Sequence, residues 1–234
     1  GVDLFNSIMR DRINELLQKG QPPFVSGNIW YGNFVRGNEL FAIAASAHPG
    51  KIGEALRSIY TEAQRVYRHG VTQSELERAK SNLLTQLENR WKQKDKIRND
   101  DYLNAIVRHY LENEPLSSID FDWEATQQLL PTITAEEISA AVKTSLSNEN
   151  RVVIVMGPEG ENVKMINEAE ALALMKEVEA SEITPYAEEE VAASLIDKEL
   201  KGSPVVRTRA LQELNATEWT LANHAKVVYR FADY

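Results

Sequence analysis

The sequence predicts an α+β fold in which several helices cover a small, mostly antiparallel sheet. Three observations predict it. Apolar residues recur at helical 3/4 spacing in segments punctuated by Gly and Pro, and two β-rich runs flank a turn near the N-terminus. The element order is α, β, β, several α, β, α, without the regular β/α alternation of a parallel sheet.

Leu4, Phe5, Ile8, Met9, Ile13, Leu16 and Leu17 form one apolar stripe on a first helix that stops at Gly20. Gln21-Pro22-Pro23 breaks it. FVSGNIWYGNFV at 24–35 and LFAIAASA at 40–47 read as two strands joined by a hairpin turn at Arg36-Gly37-Asn38-Glu39. After His48-Pro49-Gly50-Lys51, a helix over about 52–68 ends at Gly70.

Thr72 and Glu75 have the spacing of a capping box, in which hydroxyl and carboxylate each satisfy a free backbone donor at a helix start. The next helix is therefore expected to bury Leu76, Ala79, Leu83, Leu87 and Trp91. A polar stretch at 92–101 interrupts it, and Tyr102, Ile106, Tyr110 and Leu111 resume the stripe as far as Glu114-Pro115. Two further helices are predicted over 118–130 and 134–146, the second opened by a capping box at Thr134 and Glu137.

RVVIVM at 151–156 predicts a strand covered on both faces. A helix from Asn162 to about Val178 follows it. Ser181 to Pro204 is acidic and proline-bearing, which predicts an exposed linker with a short helix near 188–195. TEWTL at 217–221 and KVVYR at 226–230 then alternate around Ala222-Asn223-His224-Ala225 as a hairpin. The expected organisation is a domain over 1–178, an acidic linker over 179–215 and the opening hairpin of another domain over 216–234. With no initiator Met and an abrupt end, the chain reads as an internal fragment.

Composition narrows the chemistry. The chain has 234 residues, is 43% hydrophobic and lacks cysteine, which excludes disulfides, a thiol nucleophile and thiolate metal sites. Its net charge is −9, and residues 159–199 hold 12 acidic against 3 basic side chains, so the rest is balanced. A general nucleic-acid surface is not expected. No apolar run reaches the ~18 residues of a membrane span.

Each isolated motif has a plainer reading than a catalytic one. His48, His69 and His224 read as ordinary surface residues. HYLEN at 109–113 is one residue short of the inverted zinc motif His-x-x-Glu-His, and Asn113 is a poor ligand, so a packed helix terminus is expected. Arg90, Lys92, Lys94, Lys96 and Arg98 surround Trp91; on a helix Arg90, Lys94 and Arg98 share a face, read as solvated. Gly157-Pro158-Glu159-Gly160 lacks the lysine of a phosphate loop and reads as a tight turn. Ser26 and Ser147 have no histidine at dyad spacing. The expected catalytic, cofactor-binding and metal residues are therefore none.

Together, QPPF (21–24), GVTQSELERAK (70–80), RNDDY (98–102), LENEP (111–115), ITAEEI (133–138), VMGPE (155–159) and ATEWTLAN (216–223) resemble the pitrilysin/insulinase-like zinc metallopeptidases of bacteria. The resemblance implies repeated α+β domains, the first carrying His-x-x-Glu-His and a further glutamate ligand, the second non-catalytic. This chain matches the second domain, the linker and the first hairpin of the third. The zinc motif would lie upstream of Gly1, and the substrate-holding Arg-Tyr pair in the later half, so neither is carried onto this sequence. Zinc is implied for the parent protein and no cofactor for this piece. The implied partners are the catalytic domain and C-terminal half of the same polypeptide and peptide substrates, with neither nucleic acid nor a membrane span; the implied compartment is extracytoplasmic, periplasmic in bacteria. The same family includes scaffold or recognition subunits without peptidase activity, the second reading. One departure is Asn223-His224 where the family has Asn-Gly, which implies a strained or differently shaped turn.

Overall fold

The structure, a computed structural model, describes residues 1–146, 150–158, 165–188 and 200–232. It divides into two compact units, Gly1–Ala187 and Glu188–Tyr234.

In the first unit, helix α1 (Val2–Gln18) buries Leu4, Phe5, Ile8, Met9 and Ile13. Strands β1 (Phe24–Val35) and β2 (Asn38–Ala47) form an antiparallel hairpin with Ile29 opposite Ile43 and Tyr31 opposite Phe41. Its turn places Gly37 at φ 79°, a left-handed conformation that suits glycine. Helix α2 (Ile52–His69) packs on the same sheet face through Ala55, Ile59, Ala63 and Val66. Gly27 permits that approach: a Cβ there would stand 2.9 Å from Ile59 Cδ1 and 3.1 Å from Ile13 Cγ2.

Helix α3 (Gln73–Lys92) opens with the expected capping box: Thr72 Oγ1 accepts from the Glu75 amide and Glu75 accepts from the Thr72 amide. Leu76 and Ala79 are buried, whereas Leu83, Leu87 and Trp91 are half-buried. Helices α4 (Asn99–Glu112), α5 (Ile119–Leu129) and α6 (Ala135–Ser145) follow, α6 behind its own capping box at Thr134 and Glu137. Helix α7 (Glu168–Ala180) lies along α2, and Met175, Val178 and Ile183 bury a second cluster with Tyr60.

One charged centre joins these helices. Arg12, on the buried side of α1 and 2% exposed, donates from Nε and Nη2 to the two carboxylate oxygens of Glu75 at 2.6 and 2.8 Å. It also donates to Glu62 at 3.2 Å and to the Gly70 carbonyl at 3.1 Å, while the Tyr186 ring covers its guanidinium at 4.5 Å. Burial opposes the charge, but the hydrogen bonds and charges of Glu75 and Glu62 prevail and raise the Arg12 pKa.

The second unit holds an antiparallel sheet in the order β3-β4-β5, with β3 at Val205–Leu211, β4 at Ala216–Leu221 and β5 at Lys226–Tyr229. His224 takes φ 65° in the β4–β5 turn, the conformation that Asn-Gly would supply more easily.

Several sequence expectations are corrected. Residues 151–156 join no ladder among the described residues, and Val152, Ile154 and Met156 are more than 70% exposed. β-branched composition makes a strand only where its backbone groups pair with another, and among the described residues this segment pairs with neither β1 nor β2. The stripe of α4 is also open, with Tyr110 84% exposed, so this is not a packed helix terminus. Helix α7 starts at Glu168, not Asn162, because Asn167 and Glu170 form a third capping box; 162–164 lie outside the described residues. Residues 181–187 are mostly exposed, as expected, yet they are fastened to the first unit. Ile183 is buried, Arg65 donates to the Thr184 carbonyl, and Tyr186 donates to Glu15. The short helix expected near 188–195 falls almost wholly outside the described residues, and β3 lies where the sequence reading had placed linker.

Two outcomes are expected. Arg12→Met leaves two buried carboxylates facing each other and should lower unfolding stability by about 3–5 kcal/mol in urea titrations. Glu179 is held below the usual carboxylate range by the hydrogen bond from Tyr60, which outweighs burial, and by Arg151. Its contribution is complete above the unfolded pKa of about 4.3 and is lost as pH falls through the lower folded value. Urea midpoints between pH 7 and pH 3 should therefore fall less steeply in Glu179→Gln than in the parent chain.

Candidate functional site

The β1–β2 hairpin leaves its two edges in different states. Asn6 on α1 closes the outer edge of β1 at Tyr31: its amide nitrogen donates to the Tyr31 carbonyl and its oxygen accepts the Tyr31 N–H, both at 2.9 Å. Since the Tyr31 backbone groups point away from β2, the Tyr31–Phe41 pair is a non-hydrogen-bonded one. By the same alternation the N–H and C=O groups of Phe41, Ile43 and Ala45 point outward from the other edge. Among the described residues no backbone group completes that edge. It is a ready template for an extended chain.

An apolar groove of about 250 Å³ opens beside it. Phe5 of α1, Tyr31 and Phe41 of the hairpin, and Ile138, Ala141 and Val142 of α6 line it. Phe5 and Phe41 meet at a ring separation of 5.9 Å. A polar extension runs to the hairpin turn along Asn33, Asn38, Glu39 and Thr144. There the Tyr31 hydroxyl donates to Glu39, and that bond, followed by burial, raises the tyrosine pKa. Such a groove accepts an apolar side chain while the strand edge bonds its backbone. Sequence reading missed it, because α6 lies far along the chain from α1 and the hairpin that complete its walls.

The histidines are separate. His69 bonds the Ile183 carbonyl and His109 the Glu114 carbonyl, while the His48 backbone N–H bonds Pro23 and His224 sits in its turn. Among the described residues no group of three or more His, Asp or Glu is placed to hold a metal, so they do not fit a zinc site. The five-cation run does not share one helix face, because α3 ends at Lys92 and a 3-10 turn (Lys94–Lys96) follows. Lys92 pairs with Glu88, Lys94 with Asp120 and Arg98 with Asp100; Trp91 stacks on Trp123 and donates to Asp120. The Gly157–Gly160 turn and Ser147 fall partly or wholly outside the described residues. No helix among those residues is long and apolar enough to cross a membrane.

No family model matches the chain. Over 172 residues, 73% of its length, it is 22% identical to a zinc protease PQQL-like protein of Arabidopsis thaliana and covers 18% of that protein. The periplasmic protease PqqL of Escherichia coli superposes with a TM-score of 0.68 at 20% identity, over 99% of this chain and 26% of that one. A predicted insulinase family protease of Yersinia pestis gives 0.62 at 16% identity, over 76% and 38%. The ferredoxin protease FusC, in complex with Arabidopsis ferredoxin, gives 0.57 at 12% identity, over 98% and 26%. The chain thus has the α+β fold of the insulinase-like proteases and is similar in sequence to a zinc protease of that kind. It spans about a fifth of the length of its curated relative and a quarter of the PqqL chain.

Filling the groove should be separable from unfolding. Ala141 is exposed on α6 at the groove wall. Ala141→Trp is expected to weaken binding of a small aromatic probe such as indole about tenfold, or ~1.4 kcal/mol, with an unchanged thermal melt; titration calorimetry measures the first and circular dichroism the second.

Proposed function

We propose that this chain is the non-catalytic, chamber-forming and substrate-contacting domain of a multidomain zinc metalloendopeptidase that acts on peptides. The similarity to a zinc protease over most of this chain, and over only a small part of that protein, carries the reading. Zinc and the residues that hold it belong to another part of the parent protein, with the catalytic domain and C-terminal half as covalent partners. A domain over 1–178, a linker over 179–215 whose first residues pack on that domain and whose last form β3, and the start of the next domain over 216–234 make up the proposed organisation. PqqL is a periplasmic protease, and the same extracytoplasmic compartment is proposed here.

The open edge of β2 supports the contact role. A peptide added there gains backbone bonds at Phe41, Ile43 and Ala45 without regard to its sequence, and the groove selects an apolar side chain. That combination suits a protein that handles unfolded segments of varied sequence. Asn6 opposes addition on the β1 side at Tyr31, whose outward groups it already occupies.

The test uses the purified chain with a labelled, unstructured peptide carrying one Phe. Binding by fluorescence anisotropy and no cleavage in the presence of zinc are expected; zinc-dependent hydrolysis by this chain alone would overturn the division of labour. The Ala45 N–H faces outward, so proline is tolerated there as on any strand edge. Ala45→Pro should weaken peptide binding about tenfold, equivalent to ~1.4 kcal/mol, while the circular dichroism spectrum stays the same.

A further inference from the structure

The β3–β5 sheet has two chemically opposed faces. In an antiparallel ladder directly opposed residues share a face, so Thr208, Trp219 and Val227 form one row, with Ala210, Thr217 and Tyr229 beside it. That face is apolar, and Trp219 packs against Tyr229 at a ring separation of 4.5 Å. The opposite face carries Arg207, Thr220 and Lys226 in one row and Arg209, Glu218 and Val228 in the next. Arg207, Arg209 and Lys226 are exposed, and no salt bridge among the described residues engages them.

We infer that this cationic face binds an acidic, extended peptide, deepening the peptide-contacting reading above, on which it rests. Residues two apart on a strand lie on one side about 6.8 Å from each other, and next-but-one strands lie roughly 10 Å apart. Arg207 and Arg209 therefore form a pair about 6.8 Å apart along β3, and Lys226 stands across β4 from Arg207. An extended peptide with carboxylates at alternate positions has that same 6.8 Å repeat. Each guanidinium can then take a carboxylate by two parallel hydrogen bonds. The apolar face is the one that burial favours, so the charged face is the one left to a polar ligand.

Charge distribution favours a peptide over a nucleic acid. Glu218 stands directly opposite Arg209 in the cationic patch, where a continuous phosphate backbone would meet it. A peptide can set a neutral side chain there.

The experiment titrates the full 234-residue chain into three fluorescein-labelled ligands at low salt: a twelve-residue Glu-Ser repeat, a Gln-Ser repeat of equal length and a single-stranded oligonucleotide. The acidic peptide is expected to bind at least tenfold more tightly than the neutral one, and more weakly as salt rises. The double variant Arg207→Glu, Arg209→Glu should lose that margin while keeping its circular dichroism spectrum and its affinity for the neutral peptide. Arg207→Lys with Arg209→Lys, which keeps the charge, should retain most of the margin, and Lys226→Glu tests the same face should the first double variant not fold. Equal affinity for both peptides would overturn the acidic class and leave peptide contact standing. Failure of both peptides to bind would overturn this inference, and the Phe-bearing peptide described above then decides the contact reading by itself. Tighter binding of the oligonucleotide, lost in the same double variant, would overturn the inference in favour of phosphate recognition.

Discussion

The architecture of the first unit turns on one buried cation. Arg12 sits on the apolar side of α1, where an isolated charge would be prohibitively costly, and its position is tenable only because Glu62 of α2 and Glu75 of α3 arrive together. Glu75 serves twice, since the carboxylate that receives the guanidinium also completes the capping box of α3. The start of α3 and the docking of α1 are thus one event. The Gly70 carbonyl joins the same centre, so the α2–α3 turn is held in register with α1, and that turn needs glycine because φ is 73° and Ser139 stands where a Cβ would go. A buried ion pair adds less stability than its contacts suggest, but it is a strong constraint on which helices meet.

Much of the fold could be read from local signals. The capping boxes at Thr72 and Thr134, the hairpin turn at Gly37 and the stop at Gly70 are short-range devices, and each forms as its residues dictate. The Asn167–Glu170 box follows the same rule and sets the start of α7 at Glu168. Strand assignment failed where it depended on a distant partner. Residues 151–156 have the composition of a buried strand but pair with no strand among the described residues, while β3 bears arginines at alternate positions and looked like linker. The stripe on α4 shows the same limit, for periodicity defines a face without saying what covers it. Arg12 itself was invisible as a centre, since its two acids lie 50 and 63 residues away.

Asn6 accounts for the asymmetry of the hairpin. A side-chain amide has the same donor and acceptor as a peptide group, so one asparagine supplies at Tyr31 what a neighbouring strand would otherwise supply. The β1 edge is thereby closed at that residue without a third strand, whereas among the described residues no backbone group closes the β2 edge. The groove is adjacent because Tyr31 and Phe41, which face each other across the ladder, both point toward α6. Backbone pairing and side-chain selection therefore converge on the same end of the hairpin. No nucleophile or metal-ligand set is required for that work, which is binding and orientation rather than bond breaking.

Net charge conceals how the surface chemistry is divided. The whole excess of acid resides in residues 159–199, and the remaining chain is balanced overall. Local surfaces can then depart from neutrality in either direction, as the β3–β5 sheet does by directing its arginines to one side. Period-2 alternation is what separates them: moving Arg207 and Arg209 by one residue would carry both onto the face of Trp219 and Tyr229, destroying the apolar surface and the cationic one together. The bulge between Val205 and Arg207 therefore matters beyond local geometry. It absorbs one residue before the arginines and sets them opposite Thr220 and Glu218, which makes the polarity of this sheet a consequence of its register.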